Sequence, residues 1–139
     1  MRVKKLNSDK EFLLTVKKYG IDWENSGASS LEIKFRDLIY PHWRNSIILY
    51  QPRIPGSLFR LDFLNCNKRL CVEINGPQHD KFNKHFHNNS RMNYLASIKR
   101  DIIKSNWLIA NNIALLELNE EDLKNFSLTY VKEKYGIDL

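Results

Sequence analysis

Two neighbouring runs, Leu58 to Leu64 and Arg69 to Asn75, constrain this chain most, because both alternate with strand period around the polar turn Asn65-Cys66-Asn67-Lys68. Along a strand successive side chains face opposite ways, so Phe59, Leu61 and Phe63 share one face and Arg60 and Asp62 the other. In the second run Leu70, Val72 and Ile74 oppose Cys71, Glu73 and Asn75. A turn at 65 to 68 pairs Leu64 with Arg69 and Asp62 with Cys71. Asp62 and Glu73 then become diagonal neighbours on one face, with Cβ atoms about 7 Å apart or less. One hard cation can bridge that span and relieve the repulsion between two carboxylates. A bound Mg²⁺ would also polarise a phosphoryl oxygen and lower the pKa of a water. On these residues alone a solvated sheet face stays open, with Asp62 paired to Arg60 or Lys68 and Glu73 to Arg69.

The flanking sequence predicts an α/β chain in the order α, α, β, β, β, α, β, α. Ser8-Asp9-Lys10-Glu11 reads as a capping box opening a helix over 9–19 that stops at Gly20, where a left-handed residue costs little. Ser29-Ser30-Leu31-Glu32 opens a second helix, with Leu31, Phe35, Leu38 and Ile39 at helical spacing and Pro41 just past its end. Ser46 to Tyr50 adds a strand before the hairpin. After Gly76-Pro77 and a polar stretch from Gln78 to Ser90, a helix is expected over Arg91 to Ala110, with Met92, Leu95, Ile98 and Ile102 on one side. Ile113 to Leu118 reads as a buried strand. Asn119 and Ser127 cap two closing helices docked by Leu123, Phe126 and Tyr130. With no repeat or linker, residues 1–139 form one expected domain: the 9–19 helix as an accessory, a core over about 29–118, and a helical closure over 119–139.

A 42% hydrophobic and 12% aromatic composition can bury a core without disulfides. Cys66 and Cys71 therefore read as reduced packing residues in a cytoplasmic protein. No apolar run approaches the ~20 residues of a membrane span, so no membrane partner is expected. A net charge of +6 and a pI near 9.3 favour an anionic partner such as nucleic acid.

RLDF at 60 to 63 followed by VEINGPQH at 72 to 79 resembles the heart of the PD-(D/E)xK nuclease superfamily. The likeness is to its Vsr-like, homing-type and small phage or mobile-element branches. Asp101-x-x-Lys104 and ANNIALLEL at 110 to 118 resemble the helix and strand that close that pattern, and Glu32 the acidic residue that often completes the metal site. The resemblance spans about residues 29 to 118. It implies a restriction-endonuclease-like αβββαβ core, with a mixed central sheet flanked by helices. It further implies Mg²⁺ or Mn²⁺ on Asp62, Glu73 and the Ile74 carbonyl, with Glu32 acting through water, and an inline water attacking phosphorus. Asn75 stands where the family carries lysine, and a neutral amide cannot stabilise the transition state as an ammonium does. Lys104, from the following helix, is the natural replacement. Gln78 and His79 would orient a water or contact the scissile phosphate.

Plainer alternatives accompany these roles. Glu32 can instead close the capping box with Ser29, Asp101 and Lys104 can form an i, i+3 salt bridge, and Gln78 and His79 can sit in a solvated turn. His79, His85 and His87 invite a zinc reading, but no cysteine or i, i+4 pair completes a site. Arg60, Lys81, Lys84, Arg91, Lys99 and Arg100, interleaved with Phe82, Phe86 and Tyr94, are the expected nucleic-acid contacts. The expectation is therefore a metal-dependent DNA endonuclease, with homodimerisation through the first or closing helices. A degenerate nuclease fold acting as a DNA-binding or assembly module is the alternative, and an RNA-binding protein with an accidental acidic pair is a third.

Overall fold

A computed structural model describes residues 1–76 and 91–139, with the side chain of Arg91 also outside the description. Strands β1 (Arg2–Lys4) and β2 (Glu11–Leu13) form an antiparallel hairpin, followed by the short helix α1 (Val16–Tyr19) and the helix α2 (Ser30–Trp43). Then come β3 (Ile48–Tyr50), β4 (Phe63–Asn65), β5 (Leu70–Ile74), α3 (Arg91–Ala110), β6 (Ala114–Leu118), α4 (Glu120–Lys124) and α5 (Leu128–Tyr135). The second sheet has the order β3-β4-β5-β6, with the first two pairings antiparallel and β5-β6 parallel. The chain is thus α/β, with a mixed four-stranded sheet flanked by helices.

Both faces of that sheet are covered. Phe63, Leu70, Val72, Leu116 and Leu118 pack against α2 through Phe35, Ile39 and Trp43, and against the closing helices through Leu123 and Val131. On the other face Leu49, Leu64 and Cys71 meet Trp107 and Leu108 of α3 together with Val3 and Leu14 near the N-terminal hairpin. Cys66 and Cys71 are free thiols. No helix among the described residues is long and apolar enough to cross a membrane.

Three local expectations are corrected. Residues 9–19 do not form one helix: the Ser8 hydroxyl accepts from Lys10 N–H, Asn7 takes a positive φ of 55°, and Lys5 N–H reaches the Lys10 carbonyl, which closes a β-hairpin. Only Val16–Tyr19 is helical, capped by Thr15. Its end at Gly20 is not left-handed (φ −52°), yet a Cβ there would lie 2.6 Å from the Val16 carbonyl oxygen, so glycine is demanded by crowding. Second, α2 runs through Pro41 to Trp43, because Pro41 is exposed, where water can serve the carbonyl it orphans, while the buried Trp43 anchors the last turn against Phe35.

The third correction concerns register. Asn65 belongs to β4 and its side chain accepts from Lys68 N–H, Arg69 adopts a positive φ of 50°, and the turn falls on 66–69. Phe63 therefore pairs with Val72, and Leu64 with Cys71. This two-residue shift preserves the faces of the paired residues in β4 and β5. It also shortens the expected 58–64 strand to Phe63–Asn65, and a bend at Asp62 sends Leu61 and Phe63 to opposite sides of the sheet. In α3 the residues Met92, Leu95, Ile98 and Ile102 are exposed, and Trp107 and Leu108 carry the packing.

Candidate active site

The end of β5 opens into a cleft of about 490 Å³, bounded by α2, α3 and β6. Its position follows from the parallel β5-β6 pairing, whose crossover passes through α3 and brings that helix over the sheet face bearing Glu73.

Asp62 and Glu73 are locked crosswise. Glu73 Oε2 accepts the Asp62 backbone N–H at 2.8 Å, and Asp62 Oδ2 accepts the Ile74 N–H at 2.8 Å. Each carboxylate thus satisfies a backbone donor on the neighbouring segment. Among the described residues nothing donates to Asp62 Oδ1. Burial first, and then the charge of Glu73, push the Asp62 carboxyl up to about 8. The sheet-surface alternative does not hold for the described residues: Asp62 pairs with neither Arg60 nor Lys68, while the Arg69 guanidinium donates to the Asn111 and Asn112 carbonyls.

Lys104 reaches down from α3 and its ammonium donates to Glu73 Oε1 at 2.9 Å. Burial lowers its pKa, but the charge and hydrogen bond of Glu73, with Asp62 beyond, outweigh that and hold it above the ordinary lysine value. Among the described residues, Asp101 lines the cleft without taking Lys104 as a salt-bridge partner. Glu32 does not complete a reciprocal capping box. Ser29 Oγ accepts from Glu32 N–H, but Glu32 Oε1 accepts the Tyr50 hydroxyl at 2.6 Å and the Ala28 N–H at 3.5 Å. Burial and this bond keep the Tyr50 hydroxyl well above its usual pKa. The buried Arg36 holds the approach to this corner by donating to the Glu24 and Ser26 carbonyls.

Asn75 points its amide at Glu117 Oε2 on β6, 3.3 Å away. Tyr50 and Glu117 were not singled out from sequence. Glu117 leaves one signal, a lone carboxylate in an otherwise apolar strand run; Tyr50 leaves none. Of the other expected residues, Gln78, His79, Lys81 and Lys84 lie outside the described residues, as does the side chain of Arg91. His85 and His87, Phe82 and Phe86 also lie outside them. Arg60, Lys99 and Arg100 are exposed, with Arg60 donating to the Gln51 carbonyl and Arg100 to Ser97 Oγ.

Five carboxyls, from Glu32, Asp62, Glu73, Asp101 and Glu117, line the cleft with Lys104 as the sole cation among its described residues. No three His, Cys, Asp or Glu side chains among the described residues converge as a metal-binding group. Mg²⁺, however, is commonly held by one or two carboxylates and keeps several waters. The donor set and the raised Asp62 pKa fit such an ion: a hard oxygen pair, one oxygen of it without a described donor, short of positive charge. Comparison with family models, curated proteins and solved structures gives no match.

Proposed function

We propose that this chain is a metal-dependent DNA endonuclease on a restriction-endonuclease-like core, and that its cleft hydrolyses phosphodiester bonds. The observation that carries the reading is the interlocked Asp62–Glu73 pair with the Lys104 ammonium 2.9 Å from Glu73. Asp62, Glu73 and the Ile74 carbonyl would hold Mg²⁺ or Mn²⁺, with Glu32 contacting it through water. That ion would polarise a phosphoryl oxygen and acidify a water.

The chain's own groups supply the rest. Glu73 fixes the backbone of Asp62 and so sets where that carboxylate stands. Tyr50 holds Glu32 at the cleft wall, and Asn75 restrains Glu117. Lys104 carries the positive charge that the family motif places at the position of Asn75, and an ammonium there offsets charge developing on the phosphorane. The basic surface fits DNA as partner, and the exposed α3 stripe is a surface available for homodimerisation.

One observation favours a second reading. The Lys104–Glu73 ion pair neutralises Glu73 without any metal, as it would in a nuclease fold retained only to bind or assemble. Incubating the purified protein with supercoiled plasmid and branched oligonucleotides, in Mg²⁺, in Mn²⁺ and in chelator, separates the two. Metal-dependent cleavage that disappears in Asp62→Asn and Glu73→Gln supports the enzyme; binding without cleavage under every condition selects the module.

A further inference from the structure

Arg53 and Arg60 sit directly opposite each other in an isolated antiparallel bridge just ahead of β4. Like charges placed directly across a strand pair are destabilising. Both residues are exposed, and among the described residues neither has an ion-pair partner. Arg60 donates one N–H to the Gln51 carbonyl at 3.0 Å, which leaves most of its guanidinium fork free. The hairpin bearing the two arginines is held firmly. Ile54 N–H meets the Phe59 carbonyl at 2.8 Å, Leu61 N–H meets the Pro52 carbonyl at 3.0 Å, and Ile54 and Leu61 are fully buried. The two arginines are therefore held opposite each other by a fixed backbone, and only their exposed side chains can turn apart.

The two arginines also stand near the cleft. With Lys18 they line a groove of about 340 Å³. Arg60 borders a second groove of about 380 Å³ that reaches Arg100, Asp101 and Lys104. Asp101 and Lys104 in turn line the acidic cleft. The three depressions are neighbours that share lining side chains, Arg60 between the two grooves and Asp101 and Lys104 between the second groove and the acidic cleft. A cleft with five carboxyls and one ammonium and a basic pair without an ion-pair partner among the described residues thus lie in neighbouring depressions.

The geometry points to Arg53 and Arg60 as a phosphate clamp, a site that grips the phosphodiester backbone of a nucleic-acid strand beyond the acidic cleft, with Lys18 as an outer contact. The choice of a polymer phosphate over a free anion rests on the nuclease reading. Guanidinium forks match phosphate oxygens in bidentate geometry, and the bound phosphate removes the Arg–Arg repulsion.

The test is fluorescence anisotropy with labelled single-stranded and duplex oligonucleotides in chelator, so that cleavage plays no part, across a salt series. Arg53→Gln and the double variant Arg53→Gln/Arg60→Gln are compared with the parent, with inorganic phosphate as competitor. The double variant is expected to bind at least about tenfold more weakly at low salt, with the slope of log K against log salt shallower by about 1.4 on single strands and about 1.8 on duplex, the values for two lost phosphate contacts. Among the described residues Arg53 makes no side-chain hydrogen bond, so Arg53→Gln keeps the fold. Its melting temperature should rise at low salt without oligonucleotide, because the repulsion is relieved.

Unchanged affinity and slope in both variants overturn the clamp, even if the parent cuts plasmid. Weakened binding in a protein that cuts nothing upholds the clamp and removes the nuclease. Displacement of the oligonucleotide by millimolar inorganic phosphate, with full effect of the variants, makes the site one for free phosphate and overturns the polymer assignment.

Discussion

Lys104 is the residue where local sequence and distant geometry meet. Three residues after Asp101 on α3, it lies across from β5 and reaches Glu73 over 31 positions of sequence. Replacing it with alanine should lower single-turnover cleavage by roughly two to three orders of magnitude, as for loss of one transition-state stabiliser, with little change in DNA affinity. The double variant Asn75→Lys/Lys104→Ala should recover part of that loss, since Asn75 follows Glu73 by two on the same strand face. A silent Lys104→Ala in an enzyme that cuts would remove the lysine from the chemistry. Asp62 and Glu73 were legible together because strand alternation is a local rule, whereas Lys104 came from the family resemblance, since its approach to Glu73 depends on how α3 packs over the sheet. Glu117 and Tyr50 were not legible, because they enter from β6 and β3, and the register of β6 against β5 and of β3 against β4 is settled by tertiary packing. The faces along β5 survived an incorrect turn because the error was two residues, a whole strand period, while the bend at Asp62 broke the alternation between Leu61 and Phe63.

At the scale of elements, the caps of α2, α4 and α5 were readable because each depends on one side chain and a nearby amide. The N-terminal hairpin was not: Ser8 has the same hydroxyl whether it caps a helix or closes a turn, and the choice follows from Val3 and Leu14 joining the α3 side of the core. The closing helices hang on a residue that the sequence reading did not single out. Asp122 is fully buried and accepts from the Tyr130 and Tyr135 hydroxyls, the Lys134 ammonium and the Asn119 N–H. Burial would raise its pKa, but these donors, Lys134 foremost, hold it down at about 2. Asp122→Ala strands four donors, so it should cost about 2–3 kcal/mol in urea unfolding. It should also speed amide exchange in α5 before the sheet. Uniform exchange across the chain would show instead that α5 is no separate unit.

Over the whole molecule, two aspartates with opposite shifts give the metal-free protein a stability that peaks in mild acid. Asp122, depressed from the ordinary 3.8 to about 2, contributes stability that is full above about pH 4 and is lost as pH falls towards 2. Asp62, raised from 3.8 to about 8, does the reverse: its neutral form suits the folded state, so its contribution is full below about pH 4 and fades as pH climbs to 8. A divalent cation held by Asp62 and Glu73 favours the ionised form, so Mg²⁺ should raise the melting temperature at pH 8 and do little at pH 5, where binding must first expel a proton. At a hundredfold excess over Kd the linkage is worth about 2.7 kcal/mol, which is several degrees for a domain of this size. Asp62→Asn removes the titration while keeping an oxygen for the Ile74 N–H, so it should flatten the alkaline limb of the melting profile and abolish the Mg²⁺ response together. Thermal melts from pH 3 to 9, with Mg²⁺ and with chelator, decide the matter. An alkaline limb that persists in Asp62→Asn would place the destabilising charge elsewhere, and a parent whose melting at pH 8 ignores both Mg²⁺ and Mn²⁺ would take the metal away from this pair.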